Sequence, residues 1–345
     1  MNDEPFISWA VNAAVVLVGA ALLCALLILL LRPLLGRYAM ARPNARSSHK
    51  KPTPQGGGIA VLATVLIITY AALYFLPSHT EAALRLPIIS AATVLIAGVG
   101  VIADVHPENF LSRLLLQAVA VAAVVAALPT ELRVLPVVPL AVERIGLVVC
   151  GLWFVNLVNF MDGLDWMTVA EVVPVSGALA AIGLFGFLPP LAAVVSLALC
   201  GAMLGFAYFN RPIAKLFLGD VGSLPIGLIL AWLLILLAGN GAAAAAILLP
   251  LYYVADSSIT LARRALTGEN FWRPHRTHFY QRATDRGLSV LEVVARIFVV
   301  NLALAALALA TVLAPSYATD IAALASGAAL VAGLLLAFSR GRRTA

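Results

Sequence analysis

Four polar side chains recur every third residue in one short stretch: Asn156, Asn159, Asp162 and Asp165. In a helical or 3₁₀ turn this spacing places them on one side of the backbone. Gly163 would let the chain turn between the two acids. Neighbouring carboxylates repel each other unless a positive charge lies between them, and oxygen ligands of this kind suit Mg²⁺ or Mn²⁺. The stretch predicts a divalent-cation site, and its alternative is a helix cap followed by a polar turn.

Two further acids lie in distinctive surroundings. Asp220 stands between glycines in Phe217-Leu-Gly-Asp-Val-Gly-Ser-Leu-Pro225, at a predicted helix start. An anion-binding helix N-terminus beside a carboxylate would suit a Mg²⁺-phosphate site, whereas the structural alternative is a capping residue. Asp104 closes an apolar segment and is a candidate ligand for metal or substrate, or else a solvated loop acid.

Two basic segments could bind a negatively charged substrate. The first, Ser47–Gly58, carries His49, Lys50 and Lys51 before three glycines whose amides could cradle an anion. The second, Phe271–Arg282, suits a diphosphate, with aromatic rings to stack on a base or sugar. Both segments could instead anchor the chain to anionic lipid. The cationic or titratable side chains of the second segment are Arg273, His275, Arg276, His278 and Arg282.

Apolar runs long enough to cross a membrane must position these groups. The 345 residues are 63% hydrophobic and 11% charged, whereas a soluble domain is about one quarter charged. We predict an all-α, polytopic helix bundle in one domain over residues 1–345. Asp256 lies within the ninth predicted span, where it is expected to orient other polar groups or to be satisfied by Ser257 and Ser258. The eleven predicted spans are 8–31, 57–76, 86–102, 114–128, 145–158, 167–185, 188–208, 223–238, 242–262, 293–313 and 321–338.

The distribution of Lys and Arg predicts the orientation. One alternating set of loops holds 19 basic residues and the other holds three, Arg85, Arg133 and Arg144. The positive-inside rule places the first set and the C-terminus in the cytoplasm and the N-terminus outside. The acids and glycine clusters fall on the same cytoplasmic side, and loops this short exclude an extended nucleic-acid surface. The predicted catalytic loops are about 32–56, 103–113, 156–166, 209–222 and 263–290.

The order of these strings resembles one known family. Lys-Pro-Thr-Pro-x-Gly-Gly is followed by an aspartate, then Asn-x-x-Asn-x-x-Asp-Gly-x-Asp, Gly-Asp-x-Gly-Ser and a histidine-arginine loop, between about His49 and Arg286. The chain is similar to the polyprenyl-phosphate N-acetylhexosamine-1-phosphate transferases. The resemblance implies a bacterial inner-membrane enzyme, with Mg²⁺ as cofactor and a possible homodimer. It would transfer a sugar-1-phosphate from a UDP-N-acetyl sugar to polyprenyl (undecaprenyl) phosphate and release UMP.

The resemblance also implies roles for individual residues. Asp220, with Asn159, would bind Mg²⁺, and Asp104, Asp162 and Asp220 would form the catalytic group. The residues expected to bind substrate are Lys51, Asn156, Asn159, Asp165, His275, Arg276, His278 and Arg282.

Two departures from the family pattern affect the expected activity. Ala103 stands where the family has the first of two aspartates, so a catalytically weak scaffold protein is one alternative, and a transporter of lipid-linked sugars is another. A dianionic lipid phosphate already exists at neutral pH, so Asp104 alone could suffice. The last loop resembles that of the O-antigen-initiating branch, which argues against the peptidoglycan enzyme.

Overall fold

A computed structural model describes residues 4–41, 52–74, 81–105, 109–269 and 275–340, without the side chains of residues 4–10 and 81–83. The predicted phosphate ligand Lys51 and the cationic Arg273 lie outside these residues. Long apolar stretches with few charges dictate helices here, because a backbone in hydrocarbon must satisfy its hydrogen bonds within its own segment.

The described residues form thirteen helices and one two-stranded sheet. The short strands β1 (Met40–Ala41) and β2 (Thr53–Pro54) pair antiparallel after the first helix. The helices are α1 (Glu4–Tyr38), α2 (Gly58–Ala72), α3 (Glu81–Val105), α4 (Phe110–Ala126), α5 (Leu140–Met161), α6 (Met167–Gly183), α7 (Pro190–Asn210), α8 (Asp220–Gly239), α9 (Ala243–Leu248), α10 (Leu251–Leu266), α11 (Phe279–Asp285), α12 (Val290–Leu313) and α13 (Tyr317–Arg340).

The predicted helical membrane fold is confirmed. Each predicted span overlaps a helix, and seven helices among the described residues are long and apolar enough to cross a membrane. The ninth predicted span is divided between α9 and α10, because Pro250 has no amide hydrogen to continue the helix. The chain is therefore a multi-pass membrane protein, whereas the count of eleven spans and the orientation stay predictions.

Helix α8 forms the centre of the bundle. Within its most apolar window 89% of the residues are buried, against 17% for α1, which lies at the periphery. Glycines let the neighbouring backbones approach the start of α8. A Cβ atom on Gly58 would lie 2.1 Å from the Cα atom of Gly222, and one on Gly100 would lie 2.5 Å from the carbonyl carbon of Asp220. This close packing of α2 and α3 against α8 fixes the position of Asp220.

Candidate active site

Helix α8 begins with its first two amides already bound. The carboxylate oxygens of Asp104, at the end of α3, accept hydrogen bonds from the amides of Asp220 at 3.0 Å and Val221 at 3.2 Å. Gly219 makes this approach possible, because its φ is 78° and a Cβ atom there would lie 2.6 Å from the Asp104 carboxylate. Asp104 thus caps α8 from another helix. The prediction that this N-terminus binds a substrate anion was wrong, and so was the solvated-loop alternative for Asp104.

The Asp220 side chain points to a different set of partners. Its carboxylate accepts from Nδ2 of Asn159 at 2.7 Å and from the Arg113 guanidinium at 3.0 Å. Asn159 Nδ2 also donates to Ser223 at 2.9 Å, so the amide oxygen of Asn159 is turned away from both bonds. The structure therefore brings together the two residues predicted to bind metal.

Arg113 is a site residue that sequence reasoning missed. It lies in the first turn of α4 and forms an ion pair with Asp220, with about a quarter of each side chain exposed. In the sequence it is one of the 19 basic residues that indicate the orientation. The signal that could have found it is a basic residue at a helix start on the same predicted membrane side as the acids.

Asp162 ends α5 and faces the same group of acids. Its Oδ1 accepts a hydrogen bond from the Thr168 hydroxyl at 2.5 Å, which fixes the side chain against the start of α6. Loss of hydration, together with the negative charges of Asp220, Asp104 and Asp165, raises the pKa of the Asp162 carboxyl to about 7 against the opposing hydrogen bond from Thr168. The carboxylates of Asp104, Asp162 and Asp220 therefore repel one another here, and a cationic ligand would relieve that repulsion.

The remaining two members of the predicted polar row point elsewhere. Asn156 is buried and donates from Nδ2 to Gln117 of α4 at 2.8 Å, so it packs two helices together instead of binding substrate. Asp165 is buried too, and its Oδ2 accepts from the amide of Ala214, which holds the loop after α7. The prediction of one common face was wrong: regular helix geometry stops at Met161, before Asp165, and Asn156 faces α4 although it lies in α5 together with Asn159.

The turn after α5 also differs from expectation. The residue with positive φ is Trp166, at 63°, and Gly163 is not the turning residue. Gly163 is instead required for close packing, because a Cβ atom there would lie 2.1 Å from the hydroxyl of Tyr280. That hydroxyl donates to the carbonyl of Phe160 at 3.1 Å. Tyr280 thus joins the second basic segment to the acidic group.

The glycines of the first basic segment do not form an anion cradle. The amides of Gly57 and Gly58 donate to the carbonyls of Phe217 and Leu218, each at 2.9 Å. Their hydrogen bonds attach this segment to the residues immediately before α8. The glycines therefore help to position Asp220, and the predicted cradle at these two amides was wrong.

The histidines of the second segment form a stack with Tyr280. The ring centroids of His275 and His278 are 4.9 Å apart, and those of His278 and Tyr280 are 5.7 Å apart. His278 is only 2% exposed, and its Nδ1 lies 3.2 Å from Oδ1 of Asp256. The prediction that His278 binds substrate directly is therefore corrected: its imidazole packs inside the protein. The half-buried His275 forms the outer face of the stack.

The arginines of this segment differ in their partners. Arg276 forms an ion pair with Asp285 at 3.0 Å, so its predicted diphosphate contact would compete with a carboxylate. Partial burial lowers the pKa of Arg282, and the neighbouring positive charges of Arg263 and Arg286 lower it further. Within the described residues no acidic side chain pairs with Arg282. This group of like charges suits an anion better than Arg276 does.

The oxygen donors of the site fit a hard cation that also binds substrate phosphate. No group of three His, Cys, Asp or Glu side chains in the described part of the chain has the arrangement of a closed metal centre. Mg²⁺, however, is commonly held by one or two protein oxygens together with water and phosphate oxygens. The Asp220 carboxylate and the Oδ1 atom of Asn159 supply such oxygens beside a surplus of negative charge.

The chain is similar to known proteins over most of its length. The model of glycosyl transferase family 4 matches residues 86–238, which include the acidic group. A decaprenyl-phosphate N-acetylglucosaminephosphotransferase of Mycobacterium leprae is 28% identical over 75% of this chain and 73% of its own length. A probable undecaprenyl-phosphate N-acetylglucosaminyl 1-phosphate transferase of Bacillus subtilis is 26% identical over 79% and 78%.

A third relative comes from another branch. The phospho-N-acetylmuramoyl-pentapeptide-transferase of Symbiobacterium thermophilum is 33% identical over 64% of this chain and 71% of its own length. Because relatives of both kinds match, assignment to the O-antigen-initiating branch stays a prediction. The chain belongs to glycosyl transferase family 4, the polyprenyl-phosphate N-acetylhexosamine-1-phosphate transferase family that its motifs resemble.

Proposed function

We propose that the protein transfers an N-acetylhexosamine-1-phosphate, or a modified deoxy derivative, from a UDP-sugar to polyprenyl phosphate. The product would start a lipid-linked envelope glycan such as O-antigen. The observation that carries the proposal is the placement of Asp220, bound to Asn159 and Arg113 and surrounded by the carboxylates of Asp104 and Asp162. Such a group suits a diphosphate that is neutralised by a divalent cation.

The proposed reaction is a displacement at phosphorus. An oxygen of the lipid phosphate forms a bond to the β-phosphorus of the UDP-sugar, while the bond from that phosphorus to the bridging oxygen breaks. The bridging oxygen keeps the electron pair and leaves with UMP. Because the second pKa of a phosphate monoester is about 6, the nucleophile is already dianionic near neutral pH and needs no separate base.

The residues of the chain would mainly position and neutralise the reacting groups. Asp220 and Asn159 would hold Mg²⁺, which supplies positive charge to the diphosphate oxygens. Arg113 keeps the Asp220 carboxylate in place, and Asp104 fixes the first turn of α8 through two amides. Asp104 is therefore proposed as a positioning residue, which is compatible with alanine at position 103.

The basic segment would bind the donor beside the acids. Tyr280 donates to the carbonyl of Phe160 at the end of α5, so the histidine stack to which Tyr280 belongs lies next to the Asp162 turn. Arg282 of the same segment forms a group of positive charge with Arg263 and Arg286. We expect Arg282 to contact the sugar-diphosphate and His275 to present a flat surface to a ring. With this site on the cytoplasmic side of the bacterial inner membrane, the UDP-sugar would come from the cytoplasm and the prenyl chain from the bilayer.

The test is UMP release by the purified protein with Mg²⁺, undecaprenyl phosphate and a panel of UDP-N-acetyl sugars. We expect one sugar to support turnover, chelation of Mg²⁺ to abolish it, and added Mg²⁺ or Mn²⁺ to restore it. Asp220→Asn should remove the activity, whereas Asp320→Asn, the same change at the start of α13, should not. If no sugar is turned over while a known family member is active in the same assay, the proposal is wrong.

A further inference from the structure

The most completely bonded acid in the second half of the chain is Asp256, in the middle of α10. It is 0% exposed, and five donors surround its two oxygens. Two donors come from α10 itself, the Tyr252 hydroxyl at 3.1 Å and the Thr260 hydroxyl at 3.3 Å. Burying a carboxylate costs free energy unless hydrogen-bond donors satisfy it, and at Asp256 these donors do so.

The other three donors belong to the basic segment. Oδ1 accepts from the amide of Phe279 at 3.0 Å and lies 3.2 Å from Nδ1 of His278, and Oδ2 accepts from the amide of Tyr280 at 3.2 Å. One carboxylate thus binds a side chain and two consecutive amides at the beginning of α11. A hydrogen bond to a carboxylate fixes the orientation and tautomer of an imidazole.

The constraint on His278 extends to the surface of the site. His278 lies between His275 and Tyr280 in the stack, and Tyr280 contacts the residues around Asp162 through Phe160 and Gly163. A second contact from α10 supports the same segment, because Arg263 donates to the carbonyl of Thr277 at 3.1 Å. Helix α10 therefore determines where the basic segment stands relative to the acids.

We infer that Asp256 is a positioning residue for donor binding: through His278 and the first amides of α11 it holds the basic segment, with His275 on its outer face, beside the end of α5. It does not touch substrate. The inference rests on the proposed function, since it assigns the basic segment to the UDP-sugar. Its expected signature is a change in the apparent affinity for the donor with little change in the rate at saturation.

The first experiment is steady-state kinetics of Asp256→Asn with the UDP-sugar that the wild type uses. Asparagine keeps the shape but replaces one acceptor oxygen by an amide that cannot accept from the Tyr280 amide. We expect KM for the UDP-sugar to rise about tenfold or more, while kcat stays within about threefold and KM for polyprenyl phosphate is unchanged. A fall in kcat with KM unchanged would overturn the inference.

Matched variants separate positioning from general packing. Tyr252→Phe and Thr260→Val each remove one donor to Asp256 without touching the basic segment, and KM should change less than twofold. His278→Gln removes the imidazole and leaves the carboxylate, and it should reproduce the KM increase of Asp256→Asn. If His278→Gln has wild-type KM, the proposed connection through the stack is wrong. This variant also provides the test if Asp256→Asn does not fold.

A readout without substrate keeps the two proposals distinguishable. Hydrogen exchange at the amides of Phe279 and Tyr280 should be faster in Asp256→Asn than in Tyr252→Phe. Unchanged exchange would overturn the role of Asp256 even if the wild type is active. Absence of UMP release by the wild type would instead overturn the proposed function, and faster exchange with unaltered donor KM would leave Asp256 a merely structural residue.

Discussion

Two buried or half-buried acids, Glu143 and Asp220, have very different surroundings. Glu143, in the first turn of α5, is 4% exposed, and its two oxygens accept from the Arg133 guanidinium and the amides of Val134 and Leu135. Asp220 also pairs with an arginine, but its side chain is 29% exposed and two further carboxylates, those of Asp104 and Asp162, lie nearby.

The difference lies in whether the protein itself completes the site. Around Glu143 one cation and two amides satisfy one carboxylate. These contacts hold the loop before α5 and need no ligand. Around Asp220 negative charge exceeds positive charge, and the oxygen of Asn159 takes no part in the bonds of its amide group to Asp220 and Ser223. We therefore expect the unbalanced charges at Asp220 to serve function and the balanced charges at Glu143 to serve stability.

The largest expected effect is on turnover at the open site. Asp220→Asn removes the charge that would hold the cation and should reduce UMP release by about 100- to 1,000-fold. The midpoint of thermal unfolding in detergent should stay within a few degrees of the wild type, since the variant also relieves repulsion from Asp104 and Asp162. A large loss of thermal stability with normal turnover would show instead that Asp220 serves stability and not turnover.

At Glu143, whose carboxylate is satisfied by the protein itself, the same kind of change should affect stability alone. Glu143→Gln leaves the Arg133 guanidinium without a carboxylate and should lower the free energy of unfolding by about 2 kcal/mol. Turnover per folded molecule should not change. The neighbouring exposed Glu131→Gln serves as the control, with no measurable change expected in the free energy of unfolding. An equal effect of the two variants would show that the Glu143 contacts are dispensable.

A third prediction concerns the packing between the acids and the basic segment. Gly163→Ala places a methyl group against the hydroxyl of Tyr280 and should lower kcat/KM about tenfold through displacement of that segment. Gly146→Ala, on α5 where a Cβ atom meets nothing within 4 Å, should have wild-type kinetics. Equal kinetics of the two alanine variants would show that the Gly163–Tyr280 contact does not matter.

The smallest expected effect concerns Arg113. Its guanidinium occupies one oxygen of Asp220 and opposes a nearby cation, so Arg113→Gln should lower the Mg²⁺ concentration for half-maximal activity about threefold. Arg296→Gln, an identical change of charge at an exposed position of α12, is the control. A higher Mg²⁺ requirement in Arg113→Gln would mean that the arginine supports cation binding instead of competing with it.

Local spacing alone did not decide which of the four polar side chains meet Asp220. Asn159 lies within α5 and meets Asp220 as expected, but Asn156 faces α4 although it is only three residues away. Asp165 follows the end of α5, and the chain there turns at Trp166. A period of three residues describes a helical face, and it carries no information once the helix has ended.

Partners that are distant in the chain were not accessible to sequence reasoning. The sequence left Asp104 as either a ligand or a loop acid, whereas 116 residues separate it from the amide that it caps. Asp256 was expected to orient other polar groups, and its three contacts with the basic segment identify which groups these are. Arg113 was read as a topology charge because no local pattern connects it with Asp220.

By itself the sequence determined the class of protein, the position of nearly every helix, the order of the family motifs and two candidate acids of the site, Asp162 and Asp220. Hydropathy and motif order are local properties, so the chain displays them without folding. Only the tertiary structure decided which acids remain open and which are satisfied. Asp220 stays open, whereas Asp104, Asp256 and Glu143 are bonded, because charge balance depends on donors that other helices bring within hydrogen-bond distance.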